Sequence, residues 1–207
     1  MKCALVAIFI PRWKRNIFPG IDEPPECIYA QRIAMANPNR HLIELNRELL
    51  RQALELLAAI DDHLYTQPMP HLMSSSIGAQ FRHVLEFYEC FLHGLSNRHI
   101  DYNARRRDRS VESSRTVAME RLAEAREKLA AVNAYSEATV WVRMEDAQPG
   151  DGHLTSSIAR ELNALTSHTI HHYAVIAVAL RAIGRTVDRQ FGVAPSTLRF
   201  WASREAA

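Results

Sequence analysis

Leu162-Asn163-Ala164-Leu165-Thr166-Ser167-His168-Thr169-Ile170-His171-His172-Tyr173-Ala174-Val175-Ile176 decides the fold of this chain. The apolar series Ile158, Leu162, Leu165, Ile176 and Leu180 runs through it at helical spacing. That spacing predicts one long amphipathic helix, starting after Thr155 or Ser156 and stopped near Ile183 by Gly184. His168 and His172 continue the apolar series along nearly the same side. Side chains four apart on a helix share a face, with Cβ atoms about 6 Å apart. Two imidazoles so placed can reach one metal ion, and neutral imidazole suits zinc, nickel and iron. The same spacing also arises by chance in helices that bind nothing.

Working outward, three more helices come from the same periodicity. Leu42, Leu45, Leu49, Ala53, Leu56, Leu57 and Ile60 predict a first helix from about Arg40 to Leu64, capped by Asn39 or Asn37. Ser74-Ser75-Ser76 precedes a second, with the stripe Ile77, Phe81, Val84, Leu85, Tyr88, Phe91 and Leu92, ending at Gly94 to Asn97. A third runs from about Val111 to Val132 on Val117, Leu122, Ala125, Leu129 and Val132. Between it and the last helix, residues 139–146 are β-branched and aromatic. They predict one short strand, or half of a hairpin, within a long crossover. The tail from Phe191 to Trp201 carries enough large apolar groups to dock on the helices. Four amphipathic helices with few strand signals specify an all-α four-helix bundle.

Residues 11–40 hold six residues that break helices (Pro11, Pro19, Gly20, Pro24, Pro25 and Pro38), so residues 1–37 read as an irregular N-terminal extension. The domain proper is expected over 38–200. The apolar run Cys3 to Ile10 is too short for a membrane span, which needs about 20 residues. It is closed by Pro11-Arg12-Trp13-Lys14-Arg15 and lacks the form of a secretory leader. Three cysteines without a Cys-x-x-Cys pair argue for a reducing compartment, hence the cytoplasm. The formal net charge of +2, in a chain with 23% charged residues, gives no pull toward nucleic acid or an anionic membrane.

A histidine pair facing a bundle core must find partners, because unsatisfied buried polar groups are costly. A third ligand would come from another helix, and His83 is the candidate. Its alternative reading is a partly buried histidine bonded to a nearby acceptor. His171, adjacent to His172, is expected at the rim of the same cavity, as an acid/base group, a supporting group or a surface histidine.

Ser75-Ser76-Ile77-Gly78 with His83 on the second helix, and Ser167-His168 with His171-His172 on the fourth, resemble the DinB/YfiT-like superfamily of helical bundles. The resemblance covers about residues 38–200. It implies an up-down-down-up bundle with a long crossover. It also implies one divalent metal, usually zinc or nickel, on His83, His168 and His172, with water filling the remaining site. Relatives include isomerases and transferases that use mycothiol or bacillithiol, and the bundle domain of sulfoxide synthases; homodimers are frequent. Residues 1–37 have no counterpart in that pattern. Position 174 is alanine where the sulfoxide synthase domain would want an acid or amide.

Two functions follow. The first is a metal-dependent enzyme of the hydrolase or thiol-transferase class, acting on a small molecule or using a thiol cofactor. Three histidines leave an open position. Glu161 or Glu86 would accept an imidazole N–H; Tyr88, Tyr173 and His171 are the proton-handling candidates. Arg105, Arg106, Arg107 and Arg109 would either bind an anionic substrate or form a solvated loop. The second function is a non-catalytic helical protein that binds a metal or a small ligand.

Overall fold

The computed structural model describes residues 38–69, 71–73, 75–132, 138–148 and 150–205. The expected N-terminal extension, with Cys3, Cys27 and Trp13, lies outside the described residues. The first expected helix is present but ends earlier, as α1 (Pro38–Ala59), and a short α2 (Asp62–Thr66) follows. The Asp61 side chain accepts from the Leu64 amide and starts α2 afresh. The buried stripe of α1 is also rotated from the expected one. Ile43, Asn46, Leu50, Ala53 and Leu57 are innermost, while Leu42 and Leu45 are only half-buried.

The second helix is α3 (Ile77–Gly94), capped by Ser76, whose hydroxyl accepts from the Ala79 amide. The third is broken in two, α4 (Arg109–Ser113) and α5 (Arg115–Ala130). Ser114 stands between them with extended backbone and caps α5 through the Val117 amide. The fourth, α6 (Ile158–Ala182), is capped by Ser157 and buries its whole expected stripe.

Cross-contacts give the helix directions. Asn46 meets Leu162 and Thr166, and Leu49 meets Tyr173, so α1 and α6 run parallel. Gln80 meets His172 and Tyr88 meets Thr169, so α3 opposes α6. Arg82 pairs with Glu112 and Arg121 with Glu89, so the α4–α5 limb runs with α3. Arg115 at the start of α5 donates to the Leu57 carbonyl near the end of α1. The bundle is therefore up-down-down-up. Phe81, Tyr88, Leu122, Leu162 and Ile176 fill its core and are fully buried.

The crossover holds two strands, and a third from the connection after α3 joins them. β1 (His99–Asp101), β2 (Thr139–Arg143) and β3 (Leu154–Ser157) form a three-stranded sheet. β1 lies parallel to β2 with Ile100 opposite Val142, and β2 lies antiparallel to β3 with Val142 opposite Leu154. Gly94 lets β1 fold back on the end of α3: a Cβ there would sit 2.4 Å from the His99 carbonyl oxygen. A single 3₁₀ turn, Tyr102–Ala104, follows β1 and aims the next residue, Arg105, at the bundle. The tail docks less than expected. Phe191 is buried and stacks on Tyr173 at 4.5 Å, but the final helix α7 (Pro195–Glu205) buries none of its residues.

Candidate metal centre

His83 is carried by α3, and His168 and His172 by α6. The antiparallel packing of these helices brings their rings together. His83 Nε2 lies 3.1 Å from His168 Nε2, which lies 3.1 Å from His172 Nε2. One ring nitrogen of each falls within 4.8 Å of the other two. Tetrahedral zinc with Zn–N bonds of about 2.0–2.1 Å sets its nitrogens about 3.3 Å apart. All three side chains are half-buried. Phe87 closes one side, its ring 4.0 Å from that of His168 and 5.0 Å from that of His83.

The hydrogen bonds around the rings fix their tautomers. His172 Nδ1 is 2.5 Å from Gln80 Oε1, and Gln80 Nε2 donates to Ser75 Oγ at 2.8 Å. The amide oxygen therefore faces the ring and takes the Nδ1 proton, which leaves the Nε2 lone pair pointing inward. His83 Nδ1 is 2.7 Å from Arg105 Nη1. A guanidinium only donates, so here His83 Nδ1 accepts and the ring proton sits on Nε2, toward His168. His168 Nε2 then accepts, and its buried Nδ1 has no partner among the described residues. Two unprotonated Nε2 atoms, on His168 and His172, thus lie 3.1 Å apart. That arrangement calls for a positive charge between them. A proton is a poor candidate. Burial first and the neighbouring His172 second push His168 down to about 3. Burial and His83 push His172 down to about 4. Burial, then Arg105, also lowers His83. A divalent ion would supply the missing charge, and three imidazoles are a donor set that could hold one.

The other expected site residues differ in how near they come to the three rings. Glu161 is buried, but Tyr102 donates to one of its oxygens at 2.9 Å and Ser156 to the other at 2.6 Å. It ties the sheet to the first turn of α6 and has no hydrogen bond to the histidines. Glu86 accepts from the Asp108 amide and holds the loop before α4. Tyr88 is fully buried, donating to Asn46 and accepting from Thr169; burial raises its phenol well above the ordinary range. Tyr173 donates to the Leu49 carbonyl and packs in the core. His171 is exposed, with its ring 5.1 Å from that of His172, at the rim. Of the four arginines, Arg106, Arg107 and Arg109 are exposed and only Arg105 reaches the histidines.

Sequence reasoning gave Gln80, Asn46 and Glu145 no role at the site. Gln80 was legible in principle, because it stands one turn before His83 on the same face. A separate groove of 720 Å³ along α3 and α5 contains none of the three histidines. Its charges largely pair off within it, Arg121 with Glu89 and Lys128 with Glu124.

Among the described residues no helix is long and apolar enough to cross a membrane. FK506-binding protein 5 of Rhizopus delemar is 33% identical over 103 residues, which are 48% of this chain and 27% of that protein. The chain thus spans about a quarter of that relative's length, and the likeness is partial. No solved structure matches at a significant level. The DinB family model matches residues 35–192, a span that takes in all four bundle helices and the three histidines, and the chain belongs to the DinB family.

Proposed function

We propose that His83, His168 and His172 hold one divalent metal ion through their Nε2 atoms, and that the protein is a metal-dependent enzyme acting on a small molecule. The observation that carries this is the convergence of the three Nε2 atoms, two of them unprotonated and 3.1 Å apart on rings that burial keeps from protonating. Three histidines leave a coordination position open, as catalytic zinc sites do and structural ones do not. A divalent ion there supplies Lewis acidity, lowering the pKa of a bound water or thiol. That chemistry suits hydrolysis or thiol transfer.

The chain's own groups do the rest. Gln80 holds the His172 tautomer. Phe87 keeps water from one wall of the site. His171 at the rim is the group placed to exchange protons with solvent. Zinc or nickel is the expected ion, with iron third. Residues 38–200 form the metal-binding unit and 1–37 an extension to it. Cytoplasmic residence fits the sparse cysteines, of which Cys90 is a half-buried free thiol pushed up to about 11 by burial. A homodimer would cover the exposed Val178, Ile183 and Phe200.

Elemental mass spectrometry on untagged protein tests the centre. About one zinc, nickel or iron per chain is expected in the wild type, and loss of it in His168→Ala. A folded, metal-free wild type that takes up none of these ions on addition would refute the reading.

A further inference from the structure

Arg105 occupies a place that ordinary surface arginines do not. Its side chain is 12% exposed. It is held on three sides: Nε donates to the Tyr102 carbonyl at 3.1 Å, Nη2 meets Glu145 at 3.0 Å, and the guanidinium lies 5.0 Å over the Phe87 ring. The fourth side, Nη1, faces His83 Nδ1 at 2.7 Å. These tethers come from the 3₁₀ turn, the end of β2 and α3, so the sheet places one cation against the histidines.

That contact and a loaded metal centre exclude each other. A neutral His83 that ligates through Nε2 must carry its proton on Nδ1. Nδ1–H would then face Arg105 Nη1–H, two donors with no acceptor between them. The guanidinium cannot give up its proton to relieve this. Loading the centre therefore turns the Arg105–His83 contact from a hydrogen bond into a repulsion, and adds a dication beside a largely buried monocation. Glu145 offsets one positive charge only. What satisfies both donors at once is an anionic oxygen that accepts from His83 Nδ1–H and Arg105 Nη1–H, which must part from 2.7 Å to admit it.

We infer that Arg105 and the Nδ1 edge of His83 form the binding site for an anionic group, a carboxylate or phosphate, of the substrate. The inference rests on the metal reading above and adds the substrate class. An acidic small molecule would set its anionic end on Arg105 and present its reacting group to the open side of the three histidines. Neutral analogues would lack the acceptor that the two donors need.

The test uses cobalt-loaded full-length protein, whose visible absorption reports the environment of the three histidines. It is titrated with acetate, inorganic phosphate and, as a neutral control, acetamide. Wild type should bind one or both anions and not acetamide. Arg105→Met should keep its metal content and melting profile but bind the anion at least about tenfold more weakly, which is about 1.4 kcal/mol. Arg105→Lys, which keeps the charge but not the fork, should fall between. Nitrogen NMR of the His83 ring should show its proton moving from Nε2 to Nδ1 on metal loading in wild type. Equal anion affinity in wild type, Arg105→Met and Arg105→Lys would overturn the inference and leave the metal centre standing. Failure of wild type to take up cobalt or zinc would overturn both. If Arg105→Met does not fold, Arg105→Lys and Glu145→Gln carry the comparison, and unchanged affinity in both counts against it.

Discussion

Asn46 is fully buried, and its amide reaches across three helices. It accepts from Tyr88 at 2.8 Å, while its nitrogen lies 3.0 Å from both the Leu162 carbonyl and the Thr166 hydroxyl. Through Tyr88 the network reaches Thr169, the residue next to His168 in the chain. Replacement by leucine would leave buried polar groups with fewer partners, at about 1–3 kcal/mol. Urea unfolding of Asn46→Leu should report a loss in that range; an unchanged midpoint would mean that water or a repacked core satisfies these groups. The residue was hard to read in the sequence. Asparagine inside the Leu42-to-Leu49 stretch looks like a solvated position, and only the rotation of the stripe onto Ile43 and Leu50 turns it inward. The histidines were easier: spacing alone put His168 and His172 on one face. His83 was a candidate from its helix alone, but only the family likeness set it above a partly buried histidine, because its partners lie 85 and 89 positions away and no local pattern links them. Arg105 could not be separated from its neighbours, since which arginine of the run turns inward depends on a 3₁₀ turn that three residues do not announce.

Elements show where periodicity succeeds and where tertiary contacts overrule it. All four bundle helices were legible from apolar spacing. The breaks at Ile60–Asp61 and at Ser114 were not, because a cap in mid-pattern costs the stripe nothing while redirecting the axis. β1 was missed for its length of three residues; it is defined by pairing with β2, far along the chain. Gly78 lies in the first turn of α3, and a Cβ there would sit 2.2 Å from the Glu112 carbonyl oxygen and 2.9 Å from the Tyr65 ring. Alanine in a helix is ordinarily favoured over glycine by about 1 kcal/mol. Here it should instead destabilise, by about 1–3 kcal/mol of overpacking, as α4 is pushed off α3. Thermal melts of Gly78→Ala decide the sign: a raised melting temperature would show that α4 yields without cost.

At the scale of the bundle, the three buried imidazoles make stability depend on pH. An unfolded histidine titrates near 6.5. In the folded, metal-free protein His168 titrates at about 3 and His172 at about 4. Above about pH 6.5 both states are neutral and this contribution to stability is intact. As pH falls below that, the unfolded chain binds protons that the folded one refuses, so stability is lost progressively down to the folded values. Metal-stripped wild type should therefore melt at lower temperature at pH 5 than at pH 7, and His168→Leu should show a shallower slope over the same range. Equal slopes would contradict the assigned cause. The up-down-down-up order has a consequence for biosynthesis. α1 and α3 are made first and pack on α5 as well as on α6, and the third and fourth sides of the bundle close only with α6. A ribosome that has not yet released residue 168 carries one histidine of the three. A centre built on these three rings could therefore be completed only in chains whose synthesis has passed most of the last bundle helix, so it would be assembled late and not serve as a nucleus for folding.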